Sequence, residues 1–68
     1  MIAKCLSYGE YFYFKWNHKI EELFYDFNIE YEETYDSGKR LIKVDMDYIG
    51  VALNVLTSTE TFLSVEVV

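Results

Sequence analysis

A turn signal between two alternating runs constrains this chain more than any other feature. Between residues 29 and 48, the segment Asp36–Lys39 (Asp-Ser-Gly-Lys) separates two stretches in which apolar and polar side chains alternate. Asp and Gly favour tight hairpin turns, and alternation with a period of two is typical of strands with one buried face. Pairing Tyr35 with Arg40 collects most apolar side chains on one side. We therefore predict an antiparallel hairpin in this register, because a shift of one residue would mix the two faces.

The predicted register assigns the side chains of the hairpin to two faces. The mostly apolar face pairs residue 29 with 46, 31 with 44, and 33 with 42: Ile29 and Met46, Tyr31 and Val44, Glu33 and Ile42. The mostly polar face carries Asn28 opposite Asp47, Glu30 opposite Asp45, Glu32 opposite Lys43, and Thr34 opposite Leu41. The pair Glu30 and Asp45 places two negative charges opposite each other, which is mildly unfavourable in a sheet.

An amphipathic helix is predicted just before this hairpin. Four apolar residues recur at i, i+3, i+4 and i+7: Ile20, Leu23, Phe24 and Phe27. This spacing forms a single apolar stripe on a helix. Asn17 is a suitable N-cap, and Asn28 readily takes the left-handed conformation that ends a helix. The helix is therefore expected over residues 18–27.

The N-terminal residues predict another hairpin, over residues 2–16. The segment Ser7–Glu10 is typical of a turn, and the aromatic run after it favours a strand. Alternation in that run places three large aromatic side chains on one face: Phe12, Phe14 and Trp16.

The C-terminal third allows two interpretations. Residues 51–57 and 61–68 are rich in β-branched side chains, and with a turn at Ser58 and Thr59 they predict a third hairpin. A helix competes with the first of these strands, since Ile49, Ala52, Leu53 and Leu56 have helical spacing. Gly50 and the valines disfavour that helix, so we expect strands.

The expected order is ββ-α-ββ-ββ in a single domain over residues 1–68. This order predicts an α+β fold, with about five or six short strands in a mostly antiparallel twisted sheet and one helix packed on one face. The last strand is apolar. At an edge of the sheet it would be a pairing site for a second copy of the chain.

The charge balance argues against several classes of function. Twelve acidic residues against six basic ones give a net charge of −6, which opposes autonomous binding to nucleic acid. A single cysteine excludes an internal disulfide. The N-terminus lacks the features of a signal peptide, and no apolar stretch is long enough to span a bilayer. We therefore expect a cytoplasmic protein without membrane contact.

The chain offers few groups for catalysis or metal binding. Cys5 is the only thiol and His18 the only imidazole. We expect a core role for Cys5 and a solvated His18, with a Cys–His catalytic pair as the weakest hypothesis. Asp45, Asp47 and Gly50 resemble the start of a calcium-binding loop, but Ile49 and Leu56 occupy two positions where ligands are required. The expectation is a protein without catalytic activity, metal or cofactor.

Acidic residues are concentrated in the middle of the chain. Nine of the twelve lie between residues 21 and 47, where only three basic residues offset them. Tyrosine is enriched at protein interfaces, and the five tyrosines at 8, 11, 13, 25 and 48 exceed what so small a core needs. We predict an acidic surface that binds a basic partner, with Tyr25 as its aromatic anchor. The predicted charged contacts are Glu22, Asp26, Glu30, Glu32, Asp45 and Asp47.

In size, acidity, aromatic content and lack of catalytic groups, the chain resembles small inhibitors encoded by phages and mobile elements. Anti-CRISPR proteins, anti-restriction DNA mimics and uracil-glycosylase inhibitors belong to this group. The resemblance is one of composition and implies charge mimicry, in which the protein blocks a basic nucleic-acid-binding site on a host protein without binding nucleic acid itself. The alternative is a small structural or adaptor protein that forms a homodimer, whose charge of −6 serves only solubility.

Overall fold

The computed structural model describes residues 2–59 and 64–67 and shows an α+β fold, as predicted. The elements are β1 (Ile2–Tyr8), β2 (Tyr11–Lys15), α1 (His18–Asp26), β3 (Glu32–Asp36), β4 (Lys39–Asp45), α2 (Met46–Thr57) and β5 (Ser64–Val67). They form a five-stranded sheet in the order β3-β4-β2-β1-β5. Neighbouring strands are antiparallel except β1 and β5, which run parallel.

The register of the β3–β4 hairpin is confirmed. Tyr35 pairs with Arg40 and Glu32 pairs with Lys43, around a turn whose Gly38 has a φ of +81°. The ladder begins at Glu32, so the predicted strand pairing between Glu30 and Asp45 is wrong, as are the pairings of residues 28 and 29 with 47 and 46. Residues 28 and 29 remain hydrogen-bonded to the end of α1, and residues 46 and 47 belong to the first turn of α2.

The predicted helix α1 is confirmed to within one residue. The Asn17 side chain accepts a hydrogen bond from the backbone N–H of Lys19 at 2.8 Å, which caps the helix. At the other end Asn28 has a φ of +55°, and the backbone N–H of Ile29 donates to the Phe24 carbonyl at 2.8 Å. This tight turn directs the chain towards β3.

The predicted strand over residues 51–57 is wrong, because Met46–Thr57 form the helix α2. The apolar spacing explains why this segment is helical. A helix buries Ala52 and Leu56 completely, and the free energy gained by this burial outweighs the low helix propensities of Gly50 and the valines. Residues 2–59 therefore contain two helices, where the sequence predicts one.

The C-terminal strand exists, but it has a different partner from the predicted one. β5 pairs in parallel with β1, since residues 51–57 are helical and cannot form the other strand of a hairpin. It lies at an edge of the sheet, opposite the edge formed by β3. The parts of the predicted strand at residues 61–63 and 68 lie outside the described residues.

Both helices pack on the same face of the sheet. Phe14 of β2 and Phe24 of α1 meet edge to face, with ring centres 5.9 Å apart at 78°, the preferred geometry for aromatic pairs. The other buried side chains of this core are Ala3, Cys5, Ile20, Ile29, Ile42, Val44, Ala52 and Leu56. Phe12 and Trp16 pack against it from the same side, as their alternation predicted.

The opposite face of the sheet, here named the open face, carries the side chains that alternate with the core. These are Lys4, Leu6 and Tyr8 on β1, Tyr11, Tyr13 and Lys15 on β2, Glu32, Thr34 and Asp36 on β3, and Lys39, Leu41, Lys43 and Asp45 on β4. The helices of the described chain have 9 and 12 residues, too few to cross a bilayer.

Truncating Leu56 tests the position and orientation of α2. We expect Leu56→Ala to lower the free energy of unfolding by about 2–5 kcal/mol, because it leaves a cavity beneath the helix. Val51→Ala on the exposed side of the same helix should change it by less than about 0.5 kcal/mol. Urea denaturation of both variants measures the difference, and equal losses would contradict the helical arrangement.

Candidate acidic interaction surface

Four of the predicted acidic residues line one cleft, here named the acidic cleft. Glu30, Glu32, Asp45 and Asp47 surround a volume of about 450 Å³. The other lining side chains are Tyr11, Tyr31, Lys43 and Tyr48. The cleft lies where β4 runs into α2, beside the segment that joins α1 to β3. The combination of carboxylates and tyrosine rings is suited to binding a cation.

The direct connection between β4 and α2 positions two of the carboxylates. Asp45 ends β4 and caps α2, accepting a hydrogen bond from the backbone N–H of Asp47 at 2.9 Å. The backbone N–H of Met46 donates to the Glu10 carbonyl at 2.9 Å, which holds the start of α2 against the β1–β2 turn. The N-terminal end of a helix favours negative charge, so the fold tolerates Asp45 and Asp47 close together.

The hydroxyl of Tyr48 lies within the combined field of these acids. A side-chain hydrogen bond to Glu30 raises the pKa of Tyr48, and the negative charges of Glu30, Asp45 and Asp47 add to the effect. Carboxylates from two separate segments therefore act on the same phenol group. This convergence brings Glu30 close to the two aspartates although the predicted strand pairing does not form.

Among the described side chains that line the acidic cleft, one is basic. The Lys43 ammonium lies 3.8 Å from a carboxylate oxygen of Glu32 and 3.9 Å from the centre of the Tyr11 ring. Glu32 is therefore partly compensated. Within the described residues, Glu30, Asp45 and Asp47 form no ion pair, so the cleft keeps an excess of negative charge.

The predicted residues of α1 lie apart from the cleft. Glu22 faces two side chains of its own helix: its carboxylate lies 3.4 Å from the His18 ring nitrogen and 3.9 Å from the Lys19 ammonium. Asp26 is exposed and lines neither the acidic cleft nor the smaller hollow beside it. Tyr25 borders a smaller hollow of about 230 Å³ that it shares with Glu30, so it reaches the margin of the acidic cleft.

The sequence does not predict that Tyr11, Tyr31 and Tyr48 line this cleft. The composition predicts Tyr11 and Tyr48 only as surplus to the core, and the hairpin register predicts Tyr31 on the apolar face. The helical spacing of residues 49–56 was the signal that could have found Tyr48, since a helix starting after Asp45 places Tyr48 beside Asp47 in its first turn.

A second group of charges, on the other side of the sheet, is neutralised internally. Arg40 pairs with Glu33 and lies over the Trp16 ring at 4.3 Å, and the Trp16 indole donates to Glu21 at 3.1 Å. The hydrogen bond from Arg40 is the main cause that lowers the pKa of Glu33. These contacts tie α1 to β3 and β4, so we assign the group a structural role.

The geometry gives no support to a Cys–His pair. Cys5 is only 1% exposed and belongs to the core, where burial raises the pKa of its thiol to about 11. The His18 side chain is 73% exposed at the start of α1 and faces Glu22. Elsewhere in the described chain, no group of three His, Cys, Asp or Glu side chains is arranged to hold a metal ion.

No protein-family model, curated protein or solved structure matches this chain. The function is therefore inferred from the acidic cleft and its surroundings.

The raised pKa of Cys5 predicts an unreactive thiol. At pH 8 nearly all of the folded protein carries the neutral thiol, and the group is shielded by the core. We expect negligible reaction with Ellman's reagent in the native state and rapid reaction after unfolding in urea. Rapid reaction of the native protein would contradict the buried position of Cys5.

The coupling between Tyr48 and Glu30 can be measured directly. Glu30→Gln removes the charged acceptor beside the phenol, so the pKa of Tyr48 should fall towards its ordinary value. NMR titration of the labelled tyrosine ring carbons follows this change. Glu22→Gln on α1 is the control and should leave the pKa of Tyr48 unchanged. Equal effects of the two variants would show that the carboxylates do not converge on Tyr48.

Proposed function

We propose that this protein is a non-catalytic acidic binding protein that blocks a basic nucleic-acid-binding site on a host protein. The observation that carries the proposal is the convergence of Glu30, Asp45 and Asp47 on one cleft without an ion-pair partner among the described side chains. Charges of like sign held together in this way cost stability, and a cation from a partner would offset the cost.

The chemistry of the cleft favours the side chains of arginine and lysine. Tyrosine rings attract cations at their faces, and Lys43 already occupies such a position over Tyr11. A volume of about 450 Å³ is within the range of clefts that hold small ligands in proteins, so side chains of a basic segment can enter. The carboxylates then provide charge-assisted hydrogen bonds, which are the strong ones.

The grouping of acidic side chains at one cleft supports charge mimicry. Glu32 and Asp45 lie on neighbouring strands, which are about 4.8 Å apart, and Glu30 and Asp47 add two further carboxylates from the adjoining segment and helix. Arginine and lysine side chains that normally contact phosphates would bind such a surface instead. The surface is small and can replace only a short stretch of nucleic-acid backbone.

The compositional resemblance to phage-encoded and mobile-element inhibitors, anti-CRISPR and anti-restriction proteins among them, supports the same proposal. The resemblance implies a protein of the host-cell cytoplasm, where a single cysteine would stay reduced. The acidic surface itself repels nucleic acid, so the partner is a basic protein and competition is the mechanism of inhibition.

The test compares two double variants with the same change in net charge. Glu30→Gln with Asp47→Asn neutralises the cleft, whereas Glu22→Gln with Asp26→Asn neutralises the exposed acids of α1. A partner is isolated by affinity capture from a bacterial lysate with elution by rising salt, and is then purified. Binding is measured by calorimetry, and displacement of a labelled oligonucleotide from the partner is measured by anisotropy.

We expect the cleft variant to lose roughly tenfold or more in affinity, because paired charges at an interface contribute strongly. The α1 variant should lose less than about threefold, as is usual for exposed charges. Wild-type affinity should fall as salt rises. Affinity independent of salt, equal losses in the two variants, or binding without displacement of the oligonucleotide would each refute charge mimicry.

A further inference from the structure

The strand β3 forms one edge of the sheet, and its outer side is available for pairing. The strand order β3-β4-β2-β1-β5 places it at the end of the sheet, with no other described strand beyond it. Its ladder with β4 runs over five successive residue pairs without a bulge. Many proteins protect such an edge with a lysine, a proline or a bulge. The sequence of β3, Glu-Glu-Thr-Tyr-Asp, contains neither lysine nor proline.

The turn between β3 and β4 determines which backbone groups face outwards. Ser37 and Gly38 have φ angles of +53° and +81°, as in the type I′ turn that joins two strands through two residues. In such a hairpin the residue before the turn, here Asp36, is hydrogen-bonded to the opposite strand, and so is every second residue before it. The backbone N–H and C=O groups of Glu33 and Tyr35 therefore point away from β4, towards the free edge.

The charges of β3 determine which kind of strand this edge accepts. Three of its five residues are acidic: Glu32, Glu33 and Asp36. A second copy of β3 would bring like charges opposite each other, which is destabilising in a sheet. On the inner side, the register places a lysine of β4 opposite both Glu32 and Asp36. A basic strand on the outer side would continue this alternation of sign, so the edge favours a basic strand over a copy of itself.

The two ends of β3 offer different surroundings to an added strand. Glu32, at its start, lines the acidic cleft together with Glu30 just before the strand. The last three residues of β3 border a second hollow of about 440 Å³, which is lined on the open face by apolar side chains such as Leu6 and Leu41. A strand along this edge would therefore meet carboxylates at one end and apolar side chains at the other.

A cluster of lysines makes the apolar end unfavourable for a cation. Lys4, Lys15 and Lys39 surround a hollow of about 320 Å³. This hollow adjoins the apolar one and shares the side chains of Leu6 and Leu41 with it. Basic side chains of a partner are repelled from this end and attracted to the end beside the acidic cleft.

We propose that β3 is the docking edge for a basic segment of the partner, which adds to the sheet as an antiparallel strand. This inference rests on the proposed function and specifies how the partner reaches the acidic cleft. The outward N–H and C=O groups of Glu33 and Tyr35 bind the backbone of the segment, and antiparallel pairing is the slightly more stable arrangement. Alternate side chains of the segment lie on the open face beside Glu32 and Asp36.

The surroundings of β3 predict the order of side chains in the segment. In antiparallel pairing the segment passes Asp36 first and Glu32 about 13 Å later. Its first residues lie beside the apolar hollow, and its last residues lie beside the acidic cleft. We expect apolar β-branched side chains at alternate positions, followed by arginine or lysine at alternate positions. Backbone hydrogen bonds then provide affinity, and these side chains provide specificity.

The first experiment uses a short peptide with blocked ends, in which threonine alternates with valine in the first half and with arginine in the second. Binding at low salt is followed by NMR titration of the wild-type protein. Methylating the backbone nitrogens of the threonines, which face β3, should weaken binding about tenfold or more, because several hydrogen bonds are lost at unchanged charge. Methylating the valine and arginine nitrogens, which point away from β3, is the matched control and should change affinity less than about threefold.

Hydrogen exchange locates the bound strand. In the free protein the outward N–H groups of Glu33 and Tyr35 should exchange rapidly, whereas the N–H of Thr34, which faces β4, should be protected. The bound peptide should slow exchange at Glu33 and Tyr35 by about tenfold or more. Unchanged exchange at these two residues, or protection of β5 in their place, would refute the docking edge.

Two substitutions at Tyr35 separate the backbone from the side chain. Tyr35→Pro removes an outward N–H and leaves the ladder with β4 in place, because proline is tolerated on the free side of an edge strand. Tyr35→Val keeps the N–H but shortens a side chain that is 66% exposed. We expect Tyr35→Pro to weaken binding of the peptide about tenfold or more, and Tyr35→Val less than about threefold. Circular dichroism checks the fold of both variants, and the methylated peptides apply the same test to the wild-type protein.

The outcomes distinguish this proposal from the proposed function. Peptide binding that ignores methylation and Tyr35→Pro, but is lost in Glu30→Gln with Asp47→Asn, would refute strand addition and keep the acidic cleft as a cation site. Strand addition without displacement of the oligonucleotide from the host partner would refute charge mimicry and keep the docking edge. Protection of Glu33 and Tyr35 in the free protein at high concentration would indicate pairing with a second copy and would overturn the proposal.

Discussion

The packing of both helices on one face of the sheet is the constraint on which the rest of the structure depends. A 68-residue chain with one cysteine has no disulfide to hold it together, so its stability rests on a core of large apolar side chains. Phe14, Phe24 and Leu56 fill that core from three different elements. Because both helices and the core side chains lie on one face of the sheet, every alternate side chain of the strands points to the opposite face. The open face is thus a direct consequence of how the core is built.

The acidic cleft arises from the same arrangement. α2 must begin immediately after β4 to place Ala52 and Leu56 over the sheet, and this abrupt start turns Asp45 into a helix cap. The cap and the first turn of the helix tolerate neighbouring acids, because exposed backbone N–H groups offset their charge. Glu30 then approaches from the turn that ends α1, which explains how distant parts of the chain supply one site.

Local patterns predicted the parts of the fold that local interactions determine. The β3–β4 register follows from alternation around one turn, and α1 follows from a single stripe with caps at both ends. The pairing of β5 with β1 depends on a contact between the two ends of the chain, and no local signal encodes it. For α2 the propensities of Gly50 and the valines opposed the apolar spacing, and burial of Leu56 decided between them only in the folded chain.

The sequence predicts which acidic residues belong to the acidic cleft, but not how they are arranged in space. The sequence predicts Glu30 and Asp45 close together across a strand pair, whereas in the structure both act on Tyr48 and no such pair forms. A net charge of −6 does not indicate the cluster of Lys4, Lys15 and Lys39, because a sum of charges contains no positions. Only the strand register places these lysines at one end of a face whose other end is acidic. The relevant quantity for a small acidic protein is therefore the separation of its charges, which steers orientation and partner choice even where the net charge suggests simple repulsion.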